Sequence, residues 1–225
     1  MEYITYDEFL ARMKRDWKTG EHIGVIGPTG AGKSWIVRDL LLMRRYSVVV
    51  ATKAKDKTLA KYEAEDGFEF YEAWPPYYQD HRILLWRKPK ELGNFAAQQL
   101  LVYTCMNDIF KVGGWTVSFD DLYYITNTLK LKGAVQMFYT QVRSQNVSII
   151  GNMQRPRWVI LEAVSQASYL IVFKTRDKQD LARIAEGVGL DPKELDVANK
   201  ELQEHEFLLL VTGKDPVRVA KSQRK

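Results

Sequence analysis

The sequence contains very little cysteine and histidine. Cys105 is the single cysteine among 225 residues, which excludes an internal disulfide framework. The three histidines (His22, His81 and His205) are scattered, so no Cys/His group has the spacing of a zinc site. Long apolar runs are missing as well, because none approaches the ~20 residues that a membrane span needs. The stretch MEYITYDEF at the start is acidic and aromatic, unlike a signal peptide. These absences fit a protein of the reducing cytoplasm.

What remains is an ordinary globular composition. Hydrophobic residues make up 46% and charged residues 27% of the chain, and 225 residues are enough for one domain with a large core. The 33 basic and 28 acidic residues give a formal net charge of +5. This mild excess is compatible with a nucleic-acid partner but does not demonstrate one.

Apolar runs that are short and rich in β-branched residues predict the strands. They lie at residues 22–26, 47–51, 82–86, 115–119, 147–151 and 169–174. Helical patterns lie between them, at residues 35–43, 96–110, 122–131, 133–145 and 158–167, and two further helices start at Asp177 and Asp191. Because strands alternate with helices, we expect βαβ units and a mostly parallel sheet flanked by helices.

The two ends of the chain carry further signals. Thr5 and Glu8 have the spacing of a capping box, which predicts a helix that ends before Gly20. Two apolar runs flank the glycine and proline of residues 213–216, the pattern of a β-hairpin. We therefore divide the chain into a helical extension (residues 1–20), one α/β domain (21–220) and a basic tail (221–225).

A glycine-rich stretch between the first predicted strand and the next helix matches G-x-x-x-x-G-K-[ST] in full. Its glycines allow backbone N–H groups to surround phosphate oxygens, and the helix N-terminus favours the same anion. Lys33 can reach the β- and γ-phosphates, and the Ser34 hydroxyl can bind Mg²⁺. The pattern predicts binding of ATP with Mg²⁺ by Gly27, Pro28, Thr29, Gly30, Ala31, Gly32, Lys33, Ser34 and Trp35.

Acidic and amide side chains follow two other predicted strands. Asp120 and Asp121 end the run WTVSF, and we assign Asp120 to the Mg²⁺ shell and Asp121 to the attacking water. A shift of this pair by one residue, or two aspartates that only form a turn, remain alternatives. Asn152 and Gln154 follow the strand at 147–151, where ligands of parallel sheets bind.

The order of these motifs resembles the FtsK/HerA superfamily of ring ATPases, which have a RecA-like P-loop fold. It is most similar to the genome-packaging ATPases of double-stranded DNA viruses and phages, whose strand ends in Gln-Arg-Pro, here residues 154–156. The resemblance implies that Gln154 senses the γ-phosphate and that Arg143 reaches into a neighbour's site, with Arg155, Arg157 and Arg176 as competitors. Lys33, Asp121, Arg143 and Gln154 are thus the expected catalytic residues.

The resemblance also implies a function, an ATP-driven translocase of double-stranded DNA that works as a homo-oligomeric ring. A capsid or portal protein would be a further partner, in the host cytoplasm or on the virion. Two features depart from the family: Asp121 stands where glutamate is commoner, and 225 residues leave no room for a nuclease-like domain. The shorter packaging ATPases of membrane-containing and archaeal viruses are therefore the closer match in size.

Three other functions stay open at this stage. A HerA-like helicase or DNA-segregation ATPase shares the same motifs. A small-molecule P-loop kinase shares the glycine loop, although we find no arginine-rich lid. A non-catalytic switch or assembly module, such as the remnant of a secretion or extrusion ATPase, is the third alternative, although the related phage assembly ATPases usually have a membrane span.

Two segments have no clear assignment from sequence. Lys53, Lys55, Lys57 and Lys61 could contact DNA or a neighbouring nucleotide, but a solvated lysine face is the simpler interpretation. The aromatic and proline-rich residues 71–82 could stack on bases or dock on a capsid, with cover of a sheet edge as the simpler interpretation.

Overall fold

Ten strands form one sheet in the computed structural model, which describes residues 1–53, 57–75, 81–89 and 91–220. The strands are β1 (Glu2–Ile4), β2 (His22–Ile26), β3 (Ser47–Val50), β4 (Glu69–Tyr71), β5 (Arg82–Leu85), β6 (Thr116–Phe119), β7 (Ser148–Met153), β8 (Ala167–Phe173), β9 (Phe207–Val211) and β10 (Val217–Val219). The α-helices are α1 (Tyr6–Asp16), α2 (Lys33–Leu42), α3 (Lys57–Asp66), α4 (Ala96–Val112), α5 (Lys132–Gln141), α6 (Glu162–Ser165), α7 (Lys178–Val188) and α8 (Pro192–Glu201).

The strand order of the sheet is β1-β10-β9-β8-β2-β7-β6-β3-β5-β4. All neighbours from β8 to β4 pair in parallel, whereas β9 is antiparallel to both β8 and β10. The predicted mostly parallel sheet and the predicted C-terminal hairpin are both confirmed. The carboxyl ends of β2, β6, β7 and β3 therefore lie next to one another at the same end of the strands. The predicted site residues lie at or just beyond these carboxyl ends.

The central strands are buried on both faces, which explains why their sequences are continuous apolar runs. In β3, Val49 packs with α1, α2 and α3 on one face, while Val48 and Val50 pack with α4 to α8 on the other. Each face has its own apolar cluster, and both clusters draw on alternate residues of the same strands.

The amino-terminal residues pack on this core. The Thr5 capping box is present, because the Thr5 hydroxyl accepts from the Glu8 N–H and the Glu8 carboxylate accepts from the Thr5 N–H at 2.7 Å. Strand β1 pairs with β10, and the Phe9 and Met13 side chains of α1 are buried. The division of the chain at residues 20 and 220 stays a prediction, and the basic tail lies outside the described residues.

Three predicted helices are shorter than expected or of another kind. Residues 122–131 contain a π-helical turn, Tyr124–Thr128, which cannot continue because Lys130 has a φ of 54°. Helix α5 gives way to a 3-10 turn, Val142–Gln145. In the stretch 158–167, a 3-10 turn begins at Pro156 and β8 begins at Ala167, which leaves one α-helical turn for α6.

The two short strands β1 and β4 and the helix α3 were not predicted. Strand β4 lies at one edge of the sheet and β1 at the other. Among the described helices, none is both long enough and apolar enough to cross a membrane.

Candidate functional site

The glycine loop joins the end of β2 to the start of α2. Gly30 and Gly32 have φ angles of 82° and 109°, a region that residues with a side chain rarely adopt. Gly27 is required for a different reason, since a Cβ there would lie 2.7 Å from the Cβ of Phe173 on β8. Helix α2 starts at Lys33, so its free N–H groups and its positive end face the loop.

The Lys33 side chain lies within the curve of this loop. Its amine donates hydrogen bonds to the carbonyl oxygens of Gly27 at 2.6 Å and Pro28 at 2.9 Å. Burial lowers the pKa of Lys33 from 10.5 to about 8, although the nearby charges of Asp120 and Asp121 favour its protonated form. A buried amine with this pKa gains strongly from an anion, because an anion restores the stability of the charged form.

The two predicted carboxylates lie in the same cavity as Lys33. Asp120 follows β6 and accepts a hydrogen bond from the Thr52 hydroxyl at 3.2 Å, while Asp121 accepts one from the Tyr124 N–H at 3.1 Å. The cavity has a volume of about 250 Å³. Its lining consists of Thr29, Gly30, Gly32, Lys33, Ser34, Trp35, Lys53, Asp120, Asp121, Asn152, Met153 and Gln154.

Most of the predicted site residues thus meet at one place. The side chain of Asn152 is notable among them because the residue is only 4% exposed. In the described part of the chain its Oδ1 atom has no hydrogen-bond partner. A buried acceptor without a partner is costly, and a water molecule or a ligand bound in the cavity would remove that cost.

Arg143 lies elsewhere in the same chain. It belongs to the 3-10 turn that precedes β7, whereas Gln154 follows that strand. The six residues of β7 separate the two ends by about 20 Å. The Arg143 guanidinium donates to the Ser168 hydroxyl at 3.2 Å, at the amino end of β8. Arg143 therefore reaches no phosphate on its own loop, and any catalytic role requires a second copy.

Sequence reasoning missed one lysine of the site. Lys53 is exposed, as the simpler interpretation expected, but it also lines the cavity just beyond the end of β3. Lys61 lies 4.5 Å from the centre of the Trp35 ring, and Lys55 and the side chain of Lys57 are outside the described residues. The available signal was position, since Lys53 follows a parallel strand as Gln154 does.

A second cavity also borders the glycine loop, and neither Asp120 nor Asp121 lines it. It has a volume of about 240 Å³, and its walls include the aromatic rings of Tyr6, Trp35, Phe173 and Phe207. His205 also lines it, and the Nδ1 atom of that ring lies 3.1 Å from the carbonyl oxygen of Ala31 in the loop. An apolar, aromatic wall next to a phosphate site suits a flat heteroaromatic ring.

The glycine loop between β2 and α2, the carboxylates after β6 and the mostly parallel sheet define a RecA-like P-loop NTPase fold. No protein-family model matches the sequence, and comparison with curated proteins finds no match. Solved structures do match.

The genome-packaging NTPase B204 from Sulfolobus turreted icosahedral virus 2, in complex with sulfate, has a TM-score of 0.66 at 13% identity, over 92% of this chain and 100% of that one. The same protein with AMPPCP has a TM-score of 0.66 at 14% identity, over 91% and 98%. VirB4 of Thermoanaerobacter pseudethanolicus has a TM-score of 0.66 at 10% identity, over 90% and 89%. The fold predicted from the sequence is confirmed by these structures.

Proposed function

We propose that this chain is an ATP-hydrolysing motor of the FtsK/HerA superfamily that moves double-stranded DNA, most similar to viral genome-packaging ATPases. The observation that carries the proposal is the single cavity that contains Lys33, Ser34 and both carboxylates. Similarity in fold to the packaging NTPase B204, over that chain's full length, supports the choice within the superfamily. The ring, the DNA substrate and the residue roles are proposals that experiments can test.

ATP is the expected nucleotide. The loop would hold its phosphates, with Lys33 and the first N–H groups of α2 compensating their charge. Because the carboxylates lie on one side of the loop, the γ-phosphate would face them and the nucleoside would leave on the other side. The aromatic cavity with Tyr6, His205 and Phe207 borders the loop and has neither carboxylate in its lining, so it would take the nucleoside. The binding of the ATP analogue AMPPCP by B204 supports this assignment.

Magnesium fits the oxygen ligands at the site. Ser34 and Asp120 would hold it, since a hydroxyl and one carboxylate leave the remaining positions to phosphate and water, as Mg²⁺ prefers. The buried Oδ1 atom of Asn152 could accept from one of those waters. When bound, the ion neutralises charge that develops on the phosphates.

Hydrolysis then requires an oriented water molecule. Asp121 would accept its proton, because one of its oxygens is fixed by the Tyr124 N–H and the side chain lines the cavity. Gln154 would report whether the γ-phosphate is present, since it lines the cavity at the end of β7. Arg143 would act on a neighbouring subunit, which makes a closed ring the active form.

The DNA would be held through its phosphates, because a motor has to pass over every sequence. The net charge of +5 is consistent with such contacts. A capsid or portal protein, and a location in the host cytoplasm or the virion, follow from the packaging proposal. The fold similarity to VirB4 and to the cytoplasmic domain of the type VII secretion ATPase EccC favours one second candidate, an ATPase of a transport machine.

The decisive experiment measures ATP hydrolysis with and without duplex DNA over a range of protein concentrations. We expect duplex DNA of any sequence to stimulate hydrolysis and the rate per subunit to rise with concentration. The Lys33→Ala variant is the negative control and should show no turnover. A rate that neither DNA nor concentration changes would reject the translocase, and phosphate transfer to a nucleoside would replace it with a kinase.

A further inference from the structure

An aromatic pair lies exposed next to the nucleotide cavity. The rings of Tyr123 and Trp158 are 6.1 Å apart at an angle of 54°, and the two residues are 46% and 52% exposed. The guanidinium of Arg157 lies 5.6 Å from the centre of the Trp158 ring. We call Tyr123, Arg157 and Trp158 the aromatic platform.

The platform joins the two segments that leave the cavity. Tyr123 is two residues beyond Asp121, whose side chain binds the Tyr124 N–H. Trp158 is four residues beyond Gln154, which lines the cavity. The two segments also touch through the Asn127 amide, which donates to the Trp158 carbonyl oxygen at 3.5 Å. A change at either Asp121 or Gln154 therefore has a short covalent path to the platform.

The surface around the platform is basic. The segments 154–158 and 174–180 contain five basic residues and two aspartates, a net charge of +3. Both aspartates, Asp177 and Asp180, pair with Arg155, which holds that guanidinium in place. Arg157 instead donates to the Gln179 amide oxygen and makes no ion pair with any carboxylate of the described residues. Its charge is therefore available to a polyanion.

We propose that the aromatic platform is a contact surface for duplex DNA, on which Arg157 binds a backbone phosphate and the Trp158 ring packs against the adjacent sugar. The inference rests on the proposed function and assigns a surface to its DNA. An exposed aromatic ring beside a guanidinium without a carboxylate partner offers the DNA backbone a charge for its phosphate and an apolar surface for its sugar, and neither contact depends on sequence. A polyanion complements the net charge of +3 of these two segments, whereas a second copy of the chain would have to present an acidic face to them.

Because both arms of the platform start at the nucleotide cavity, affinity for DNA should depend on the bound nucleotide. Gln154→Ala removes the group expected to sense the γ-phosphate. We expect this variant to bind DNA equally well with and without ATPγS, whereas the unmodified protein should differ between the two states by severalfold.

The experiment measures the affinity for a fluorescent DNA duplex at several salt concentrations. We expect Arg157→Gln to weaken binding about tenfold and to reduce the slope of log K against log salt by about 0.9, the value for one phosphate contact. Arg157→Lys keeps the charge and should keep the slope. Trp158→Ala removes the apolar contact with the sugar and should weaken binding about fivefold.

The matched control is Arg45→Gln. Arg45 is also exposed and lies 5.3 Å from the centre of an aromatic ring, that of Tyr46, but it precedes β3 at the opposite edge of the sheet. Its loss should change DNA affinity by less than about twofold, since it lies far from the platform. Circular dichroism and binding of a fluorescent ATP analogue verify that each variant is folded.

Failure of this inference can be distinguished from failure of the proposed function. If the unmodified protein binds no DNA, the translocase itself is rejected. If it binds DNA and the Arg157→Gln variant binds it equally well with the same salt slope, only the platform assignment is overturned. Loss of oligomerisation in the platform variants, with DNA binding intact, would also overturn it and assign the surface to a subunit contact.

Discussion

The strands of the sheet have different polar groups at their two ends, which we call the amino edge and the carboxyl edge. At the amino edge, the buried Gly20 N–H donates to the Ser148 hydroxyl at 3.1 Å, and the imidazole of His22 is held by two backbone groups. At the carboxyl edge, Asn152 has a buried oxygen without a described partner, and Lys33 has a lowered pKa. Strands β2 and β7 are parallel and run from the amino edge to the carboxyl edge, so the same two strands connect both regions.

The groups named at the amino edge contribute to stability, whereas those at the carboxyl edge are suited to bind a ligand. Hydrogen bonds at the amino edge hold loops to the sheet and leave these groups with nothing further to bind. Groups at the carboxyl edge have charges and acceptors that the protein alone does not satisfy, which is the state that favours a bound ligand. Arg143 is the exception, because it lies at the amino edge and has a proposed catalytic role.

The Arg143→Ala variant tests this comparison, and its expected effect on ATP hydrolysis is the largest of those predicted here. If this arginine completes a neighbour's site, the variant should bind ATP normally but hydrolyse it about 10³-fold more slowly. Mixing provides the sharper measurement. Lys33→Ala subunits keep Arg143, and Arg143→Ala subunits keep an intact loop, so mixed rings should recover activity at interfaces between a good site and a good arginine.

Arg176→Ala is the matched control, because Arg176 is an exposed arginine at the carboxyl edge beside the glycine loop. A large loss in this variant and none in Arg143→Ala would transfer the catalytic role to Arg176. Mixed rings that form but recover no activity would show that Arg143 does not act on a neighbour.

The two aspartates should differ although they are adjacent. We expect Asp121→Asn to lower turnover about 10²-fold or more with ATP binding intact, because an amide cannot accept the proton of water. Asp120→Asn should instead weaken nucleotide binding only when Mg²⁺ is present. Titration of both variants with a fluorescent ATP analogue, with and without Mg²⁺, measures the difference. Exchanged phenotypes would mean that the assigned roles are shifted by one residue.

The lowered pKa of Lys33 predicts pH-dependent nucleotide binding. Bound phosphates stabilise the protonated amine, so binding requires a proton on Lys33, and the free protein loses that proton as the pH rises above about 8. The dissociation constant of an ATP analogue should increase about tenfold per pH unit above this value. Lys33→Arg stays charged and should show a flat profile over the same range. An equal slope in both proteins would exclude Lys33 as the titrating group.

At the amino edge the expected effect is on stability and is smaller. Burial lowers the pKa of His22 from 6.5 to about 4, so the unfolded chain binds a proton more readily than the folded one between these values. Stability is therefore present above pH 6.5 and is lost as the pH falls toward 4. Between pH 6.5 and 5.5 this histidine should account for about 1 kcal/mol of the loss in unfolding free energy.

Urea unfolding of the His22→Gln variant measures this contribution. Glutamine can donate and accept hydrogen bonds but does not titrate, so the variant should have a shallower dependence of stability on pH. His205→Gln is the control, because His205 is largely exposed. If the His22 variant keeps the full slope, the imidazole is not the group that takes up the proton.

The sequence predicted the central strands and the nucleotide loop well because each leaves a strong local signal. Strands buried on both faces are continuous apolar runs, and the loop needs glycine where φ is positive. It failed at β1 and β4, which have three residues each and form at the edges of the sheet only because a partner strand is already there. Lys53 was missed because nothing in a lysine-rich stretch indicates which exposed lysine also lines the cavity once the sheet has formed.

The pairing of β1 with β10 has a consequence for how the protein is made. The Ala220 N–H donates to the Ile4 carbonyl oxygen at 2.9 Å, and more than two hundred residues separate these positions along the chain. At a translation rate of roughly 5–20 residues per second, β1 leaves the ribosome about 10 to 40 s before its partner strand has been synthesised. Strand β1 is thus synthesised well before the strand with which it pairs, and it is among the last segments of this sheet to find its place.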